Sequence, residues 1–369
     1  MGLVYYLMKY NEFILHKERT IDMKKMGKAL TALMVAALSI GVVGCGSTSS
    51  ATSSSKGESP QVEASTDANN ESSSEQNFKI GVIQLVEHAA LDATYEGFVD
   101  GLKEAGYEEG KNITIDYQNA QGDQSNCQTI ATKLVNDQSD LILAIATPAA
   151  QAVANTTKDI PILITAVTDP ADAKLVASNE VPGENVSGTS DLTPVKEQIG
   201  LIGQIVPDAK KIGLMYCSSE ANSKFQIEMA KEEAGKLGLE TVEATVSNSN
   251  EIQQVTQSLV GKVDAIYIPT DNMLAAGMAT VAQVTTPAGI PVIVGEEGMV
   301  ENGGTATYGI NYYNLGKLTA TQAVAILKDG KNPAEMPIEY AGECDLVLNE
   351  EAAEQMGISL PQELLDQAK

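Results

Sequence analysis

The feature that most constrains the fold of this chain is an alternation of short apolar runs with amphipathic segments, which begins at Phe78. The runs are continuous, as in residues 141–146 (LILAIA), and continuous runs are typical of strands buried on both faces of a sheet. Segments of helical periodicity separate them, and neighbouring runs are not joined as hairpins. The alternation therefore predicts an α/β fold built from parallel, doubly wound sheets.

The alternation ends and restarts once, which predicts two lobes of similar size. Strands of the first lobe are expected at 79–85, 113–117, 141–146, 160–167 and 186–189. Strands of the second are expected at 211–217, 240–246, 265–269, 291–295, 308–311 and 345–348. Helices are expected at 90–105, 123–136, from 148, and at 194–206, 222–237, 251–260, 273–284 and 315–327. No long linker lies near residues 191–194, so the lobes should be close together and hinged.

Short polar residues stand at the ends of most predicted strands, beside a helix start. Because ligands of open α/β sheets bind beyond the carboxyl ends of the strands, these residues are candidates for a ligand site. The candidates are Glu87, His88, Thr147, Pro148, Ala149, Thr168, Asp169, Ser190, Asp191, Tyr216, Ser218, Ser219, Asn222, Asp271, Asn272, Glu296 and Asn311.

This set suits the capture of a small zwitterion. Helix starts offer free N–H groups and partial positive charge to a carboxylate, and Thr147, Ser218 and Ser219 stand at such starts. An ammonium group would be received by acids at strand ends, namely Asp169, Asp191, Asp271 and Glu296. Simple helix capping is the alternative for each of them, since these residue types are favoured caps.

Carboxylate recognition in this chain must do without a guanidinium. The only arginine is Arg19, upstream of the predicted mature protein, so backbone N–H groups and hydroxyls have to serve. In the stretch YCSSEANS, Ser218 and Ser219 are expected to grip the carboxylate, whereas Glu220 is expected to be solvated.

No motif of a catalytic or metal site stands out, so we expect neither an enzyme nor a cofactor. The chain has two histidines, His16 and His88, which argues against histidine-based metal sites and nucleophiles. The adjacent Glu296 and Glu297 would point to opposite faces of a strand, which disfavours a cooperating acid–base pair.

The charge of the chain is strongly acidic. The formal net charge is −25, and without residues 1–44 the 18 basic and 46 acidic residues that remain give −28. Such a surface repels nucleic acid and disfavours direct adhesion to anionic lipid. It suits a soluble monomer.

The N-terminal region predicts export and lipidation. Residues 23–44 have a lysine-rich start followed by an apolar stretch that is too short to span a membrane, and Val42-Val43-Gly44-Cys45 resembles a bacterial lipobox. Cys45 would then carry the lipid, palmitate included, and the Ser/Thr-rich residues 45–77 would form a flexible tether. An uncut signal anchor is the alternative. Residues 1–22 are expected to come from a start codon assigned too early.

The other cysteines, Cys127, Cys217 and Cys344, are dispersed and have no neighbouring histidine. We expect small buried hydrophobic residues, with one disulfide among them as the alternative.

Eight stretches of the chain resemble one known family. They are EHAALDATYEGF, ATPAAQA, AVTDPADA, VSGTSDLTPV, YCSSEANS, IPTDNM, GEEGMVENGG and GINYYNLG. They are similar to the extracellular substrate-binding lipoproteins of ABC importers, above all to the subfamily linked to tryptophan and tyrosine. Two positions depart from that pattern, because Asn311 stands where an aspartate is expected and Ala89 where a proline is expected.

The resemblance implies the type I periplasmic-binding-protein fold, with two lobes joined by three hinge crossovers. Lobe one would comprise 78–191 plus 312–340, and lobe two 192–311 plus 341–369. The ligand, expected to be an aromatic amino acid, would favour closure of the hinge and be delivered to a membrane permease and its ATPase. The protein would be a monomer on the outer side of the cell membrane, held there through the lipid alone.

Two questions stay open at this stage. The same scaffold would also accommodate a branched amino acid, a nucleoside or a sugar, or serve a receptor as a ligand sensor. A stacking wall for an aromatic ligand would have to come from tyrosines such as Tyr95, Tyr216 or Tyr312, because the chain has no tryptophan.

Overall fold

The computed structural model describes residues 77–369. The upstream segment 1–22, the signal segment 23–44, the lipobox cysteine Cys45 and the tether up to residue 76 lie outside the described residues. The predictions for these segments therefore stay predictions.

The first of two sheets has six strands in the order β11-β5-β4-β3-β1-β2, all paired in parallel. Its strands are β1 (Phe78–Gln84), β2 (Ile113–Asn119), β3 (Leu141–Ile145), β4 (Ile162–Thr165), β5 (Val186–Ser190) and β11 (Glu339–Tyr340). The helices beside it are α1 (Ala89–Glu104), α2 (Gln124–Asn136), α3 (Thr147–Thr156) and α10 (Tyr312–Asp329). We call this part lobe 1.

The second sheet also has six strands, in the order β12-β10-β9-β8-β6-β7. Its strands are β6 (Lys211–Cys217), β7 (Glu240–Val246), β8 (Ala265–Ile268), β9 (Val292–Val294), β10 (Ala306–Gly309) and β12 (Asp345–Leu348). Its helices are α4 (Val195–Ile205), α5 (Ala221–Lys236), α6 (Ile252–Leu259), α7 (Asn272–Ala276), α8 (Met278–Ala288), α9 (Glu297–Glu301), α11 (Glu350–Gln355) and α12 (Gln362–Leu365). We call this part lobe 2.

The chain passes between the two sheets three times, after β5, between β10 and α10, and between β11 and β12. The predicted fold class, two doubly wound parallel-sheet lobes, is confirmed. One pair departs from parallel order, because the edge strand β12 runs antiparallel to β10. The exact lobe boundaries proposed from the resemblance stay predictions.

Continuous apolar sequence explains the buried centre of each sheet. Every residue of β3 and of β4 is buried between the helices on the two faces. Phe98 of α1 is fully buried in the same core, and truncation of such a side chain to alanine typically costs about 3–5 kcal/mol. The burial of whole strands is what places their ends, and the loops that follow them, in fixed positions.

Close helix packing in lobe 1 depends on two glycines. A Cβ atom added at Gly97 of α1 would lie 2.0 Å from the carbonyl oxygen of Tyr313, and one at Gly316 of α10 would lie 2.0 Å from that of Thr94. The two helices therefore cross with their backbones in contact. This crossing ties α10, which the chain reaches only after building most of lobe 2, firmly to lobe 1.

The predicted helix at 273–284 is two helices, which corrects the sequence interpretation. α7 ends at Ala276 and α8 starts at Met278, with Gly277 between them. A Cβ at Gly277 would lie 2.3 Å from Ile252 Cδ1, so the break lets the chain pack directly on α6. The short helix α9 and the short strand β11 were not predicted either, since neither is long enough to show a period.

Candidate functional site

The strands of the two sheets end at a common crevice, which encloses a small cavity. In this closed arrangement the enclosed space is about 10 Å³, which is room for about one water molecule. The residues that line it are His88, Leu91, Ala166, Asp191, Thr270, Asp271, Asn272, Ala275, Glu296 and Tyr312. His88, Leu91 and Ala166 come from lobe 1, and the stretch from Thr270 to Ala275 comes from lobe 2.

The lobes touch each other around this cavity. The Nε2 atom of His88 lies 3.3 Å from Oδ1 of Asn272, and the hydroxyls of Thr168 and Thr270 lie 3.2 Å apart. These contacts join residues of lobe 1 to residues of lobe 2. The structure therefore has the lobes in a closed arrangement.

Asp191 lies at the carboxyl end of β5, where the chain first leaves lobe 1. Its Oδ2 accepts a hydrogen bond of 2.9 Å from the hydroxyl of Tyr312, at the second passage between the lobes. Its Oδ1 is buried and has no hydrogen-bond partner among the described residues. Burial raises the pKa of Asp191 to about 6, against the lowering effect of hydrogen bonds with the side chains of Tyr312 and Thr168 and with its own backbone. Asp191 is thus an acceptor with one oxygen still to be satisfied.

Asp271 is also buried at the cavity, but its oxygens are occupied. Oδ1 accepts from the backbone N–H of Leu274 at 2.9 Å, as the cap of α7. Oδ2 accepts from the backbone N–H of Cys217 at 2.6 Å and from the hydroxyl of Ser223 at 2.7 Å. Burial and the nearby Glu220 raise the pKa of Asp271 to about 7.

Glu220 corrects the expectation that it is solvated. Its side chain is buried, and Oε2 accepts hydrogen bonds from Nδ2 of Asn272 at 2.5 Å and from Nδ2 of Asn222 at 3.0 Å. Its Oε1 accepts from the backbone N–H of Met273 at 3.1 Å. Glu220 therefore serves the start of α7 rather than that of its own helix, which sequence proximity alone could not indicate.

Glu296 caps α9 from the opposite wall of lobe 2. Its Oε2 accepts from the backbone N–H of Gly298 at 2.6 Å, and burial raises the pKa of Glu296 to about 7. Its neighbour Glu297 is half-buried as the first residue of the helix. Asp191, Asp271 and Glu296 thus surround the cavity, and no lysine or arginine is among the residues that line it.

The helix starts of lobe 1 differ from those of α7 and α9, which have side-chain caps. Neither α1, which follows His88, nor α3, which follows Ala146, has a side-chain cap. Thr147, Pro148 and Ala149 are buried in the first turn of α3, and the Thr147 hydroxyl has no hydrogen-bond partner among the described residues. Ala146, with φ of 81°, and Ala166, with φ of 52°, hold left-handed conformations at the ends of β3 and β4. Such strain in alanine is typical of functional sites.

Several candidates from the sequence lie elsewhere. Ser218 donates its hydroxyl to the carbonyl of Val246 at 3.3 Å, and Ser219 is exposed with its hydroxyl 3.1 Å from the sulfur of Cys217. The backbone N–H of Ser218 bonds to Val246 as well, so the chain still follows strand β7 at this point. These contacts correct the expectation that the two hydroxyls grip a carboxylate in the crevice.

Three further candidates do not line the cavity. Tyr216 is buried and donates its hydroxyl to Glu243 at 2.7 Å. Asn311 is exposed and caps α10 through the N–H of Asn314, and Glu87 is exposed. Among the tyrosines considered as a stacking wall, only Tyr312 lines the cavity, whereas Tyr95 packs against Tyr117 at 4.6 Å between ring centroids.

The remaining candidates support the walls. Asp169 accepts from the backbone N–H groups of Ala171 and Asp172 in the turn after β4. Ser190 donates its hydroxyl to the carbonyl of Thr168 at 2.7 Å. Asn222 donates to the carbonyl of Thr270 at 3.0 Å, next to the cavity.

Leu91, Ala166, Thr270 and Ala275 line the cavity but were not chosen from the sequence. Thr270 stands directly before the candidate Asp271, so the strand-end rule would have found it. Leu91 and Ala275 lie one helical turn inside α1 and α7, on the face that also carries the cap residue.

The cysteines Cys127, Cys217 and Cys344 are free, the first two buried and the third half-buried. In the described part of the chain, no group of His, Cys, Asp or Glu side chains is arranged to hold a metal ion. None of the helices between residues 77 and 369 combines the length and the hydrophobicity needed to cross a membrane.

Comparison with known proteins gives one consistent result. The profile of the family described as ABC transporter substrate binding protein matches residues 79–369. The chain is 45% identical over 283 residues to a tyrosine-binding protein of Clostridioides difficile, a match that covers 77% of this chain and 82% of that protein.

Two solved structures extend the comparison. A domain from Streptococcus pneumoniae in complex with L-Trp is 41% identical, with a TM-score of 0.77 over 79% of this chain and 99% of that one. A ligand-free, open substrate-binding protein with adhesive properties from Clostridium difficile is 48% identical, with a TM-score of 0.61 over 79% and 98%. The chain thus superposes better on the complex than on the open form, despite lower identity. This agrees with the lobe contacts described above.

Proposed function

The chain belongs to the ABC transporter substrate-binding protein family, and from this premise we propose that it captures an aromatic amino acid, tyrosine or tryptophan, between its lobes. The names of its relatives support this ligand class, since one is a tyrosine-binding protein and another was solved with L-Trp. The lining of the cavity supports it through the apolar side chains of Leu91, Ala275 and Tyr312.

The observation that carries the proposal is the unsatisfied Oδ1 of Asp191. A buried carboxylate oxygen without a donor is unfavourable, whereas an ammonium group placed there supplies both a donor and the opposite charge. The other two acids of the cavity, Asp271 and Glu296, add negative potential around the same space. We therefore assign the ligand ammonium to Asp191.

The ligand carboxylate is assigned to lobe 1. The starts of α1 and α3 have no side-chain cap, so their N–H groups and partial positive charge remain available to an anion. On lobe 2 the corresponding positions of α7 and α9 are already filled by Asp271 and Glu296. The ligand would thus lie with its carboxylate toward lobe 1 and its ammonium toward the acidic side.

Binding of this kind favours closure, because a ligand bonded to lobe 1 also meets Asp271, Ala275 and Glu296 of lobe 2 once the lobes are closed. The closed form would present both lobes together to a membrane permease, which its ATPase drives. Lobe 1 would comprise residues 78–191 plus 312–340, and lobe 2 residues 192–311 plus 341–369. No covalent chemistry is part of this proposal, and the protein would act as a monomer without turnover.

Anchoring through a lipidated Cys45 would hold the protein at the outer surface of the cell membrane. Replacement of this residue, Cys45→Ala, is expected to move the protein from the membrane fraction to the medium, which fractionation and immunoblotting would show. A variant that stays with the membrane would instead indicate an uncut signal anchor.

Calorimetric titration of the purified full-length protein tests the proposed ligand. L-tyrosine or L-tryptophan should bind with one site per chain, and L-leucine, adenosine and glucose should bind far more weakly. Binding of one of these three controls in preference to both aromatic amino acids would overturn the aromatic assignment while leaving the family unchanged.

A further inference from the structure

His88 lines the cavity, and only one of its two ring nitrogens has a hydrogen-bond partner among the described residues. It precedes α1 on lobe 1, and its Nε2 lies 3.3 Å from Oδ1 of Asn272 on lobe 2. Its Nδ1 is buried and has no hydrogen-bond partner among the described residues. The proposed function leaves this nitrogen unused.

The neighbours of His88 determine which nitrogen carries the proton. Nδ2 of Asn272 donates to the carboxylate of Glu220 at 2.5 Å, which fixes the orientation of the amide and turns its Oδ1 toward His88. An amide oxygen only accepts, so Nε2 of His88 must donate. In a neutral imidazole the other nitrogen then has a lone pair and no hydrogen. Nδ1 is therefore an acceptor.

The imidazole is neutral under ordinary conditions. Burial lowers the pKa of His88 to about 4, and the hydrogen bond with Asn272 opposes this only in part. Protonation of Nδ1 would place a cation in the same small cavity and would remove the acceptor. At neutral pH the cavity thus holds two unsatisfied acceptors of different kinds, the charged Oδ1 of Asp191 and the uncharged Nδ1 of His88.

We propose that Nδ1 of His88 accepts the hydrogen bond from the polar donor on the ligand ring, the phenol O–H of tyrosine or the indole N–H of tryptophan. His88 then determines specificity, because it selects these two amino acids against phenylalanine. This inference rests on the proposed function, since it concerns the same cavity.

Charge decides which donor goes to which acceptor. The ammonium group is better placed beside a carboxylate than beside a neutral nitrogen, because a charged pair makes the stronger hydrogen bond. That assigns the ammonium to Asp191 and leaves the uncharged ring donor for His88. A phenylalanine ring would leave the buried Nδ1 without a donor, and a site built around a hydrogen bond discriminates strongly against a ligand that lacks it.

Calorimetry on the full-length protein tests the inference with three ligands: L-tyrosine, L-tryptophan and L-phenylalanine. Wild-type protein should bind phenylalanine at least about tenfold more weakly than the better of the other two. In His88→Leu, which has no acceptor, affinity for tyrosine and tryptophan should fall to near that for phenylalanine, and affinity for phenylalanine should change little.

His88→Asn is the matched variant, because its amide oxygen is attached to the same carbon atom, Cγ, as Nδ1 of histidine. It should retain part of the preference that His88→Leu loses. A merely structural role for His88 would weaken all three ligands alike in both variants. This comparison of ratios remains decisive even where one variant is less stable.

The outcomes separate the two proposals. An unchanged ratio of tyrosine to phenylalanine in His88→Leu, or equal binding of both by the wild-type protein, would overturn the role of His88 alone. Failure of all three amino acids to bind the wild-type protein would overturn the proposed function and this inference with it.

Discussion

Asp191 and Asp271 are two buried aspartates on the same cavity, and they differ in what their oxygens already hold. Asp271 accepts from Cys217, Ser223 and Leu274 within lobe 2, so its carboxylate is a structural part of that lobe. Asp191 accepts a hydrogen bond from Tyr312, the Thr168 side chain also lowers its pKa, and its Oδ1 has no partner within hydrogen-bond distance among the described residues. Equal residue type and equal burial therefore do not imply an equal role.

The two lobes show the same difference on a larger scale. Where lobe 2 faces the cavity, the helices α7 and α9 start with their own carboxylates, Asp271 and Glu296. On lobe 1 the starts of α1 and α3 have no side-chain cap. At these helix starts lobe 2 supplies its own caps, whereas lobe 1 has N–H groups left for a ligand.

The largest effect is expected from Asp191→Asn. Loss of the charge that faces the ligand ammonium should cost about 2–5 kcal/mol of binding free energy, because a buried charged partner is removed. The free energy of unfolding without ligand should not fall, since the variant no longer ionises a buried, incompletely bonded group. Titration calorimetry measures the binding free energy, and urea unfolding measures the free energy of unfolding. A variant that binds normally would show that Asp191 has a structural role only.

Asp271→Asn should mainly lose stability, whereas Asp191→Asn should mainly lose affinity for the ligand. An amide must direct its NH₂ group at one of the N–H donors of Cys217 or Leu274, so one buried donor loses its acceptor at a cost of about 1–3 kcal/mol. Urea unfolding measures this loss. Asp123→Asn is the control, since Asp123 caps α2 at the surface and asparagine is an equally good cap. Equal stability of the two variants would contradict the structural role of Asp271.

Gly298→Ala should weaken binding several-fold by hindering closure. An added Cβ would lie 2.8 Å from Cβ of Ala89 on the other lobe and 3.1 Å from Oε2 of Glu296. Small-angle X-ray scattering should show a smaller ligand-induced compaction than in the wild type. Gly235→Ala is the control, because a Cβ at Gly235 of α5 meets open space. Wild-type compaction in Gly298→Ala would show that this contact does not limit closure.

The smallest effect concerns pH. Burial raises the pKa of Asp191 to about 6 and those of Asp271 and Glu296 to about 7, so the folded protein holds these protons more tightly than the unfolded chain. Their contribution to stability without ligand therefore falls as pH rises from about 4 to about 7. The pKa of His88 is lowered to about 4, so its contribution to stability rises with pH instead. His88 is one group against the three acids.

An ammonium ligand favours the ionised acids, so the rise in melting temperature that it causes should be larger at pH 7.5 than at pH 5. Thermal unfolding with and without L-tyrosine at the two pH values measures this. A ligand-induced shift that is equal at both, or larger at pH 5, would show that the acids do not receive a cation.

Much of the fold could be predicted from the sequence, because parallel strands buried on both faces require continuous apolar runs. The strand β3 is wholly apolar and was located to within one residue. The break between α7 and α8 could not be predicted, since it depends on a contact of Gly277 with Ile252, 25 positions earlier. The local sequence pattern predicts the helical segment, whereas a tertiary contact causes its interruption at Gly277.

For the site, the strand-end rule located His88, Asp191, Asp271, Asn272 and Glu296 at the cavity. It could not show which acceptors were already occupied, because the donors come from distant positions. Ser223 is 48 residues away from the Asp271 carboxylate that it bonds, and Glu220 is 52 residues away from the Asn272 side chain that it holds. Only the folded structure separates a satisfied acceptor from an open one.

A variant combined with a ligand analogue tests the assignment of the ligand ammonium to the open oxygen of Asp191. Calorimetry would measure L-tyrosine and 3-(4-hydroxyphenyl)propionate, which lacks the ammonium group, on wild-type protein and on Asp191→Asn. This assignment predicts that the variant loses affinity for tyrosine by at least about thirtyfold and changes little toward the analogue, since about 2 kcal/mol corresponds to that factor. An equal loss for both ligands, or none for tyrosine, would contradict it.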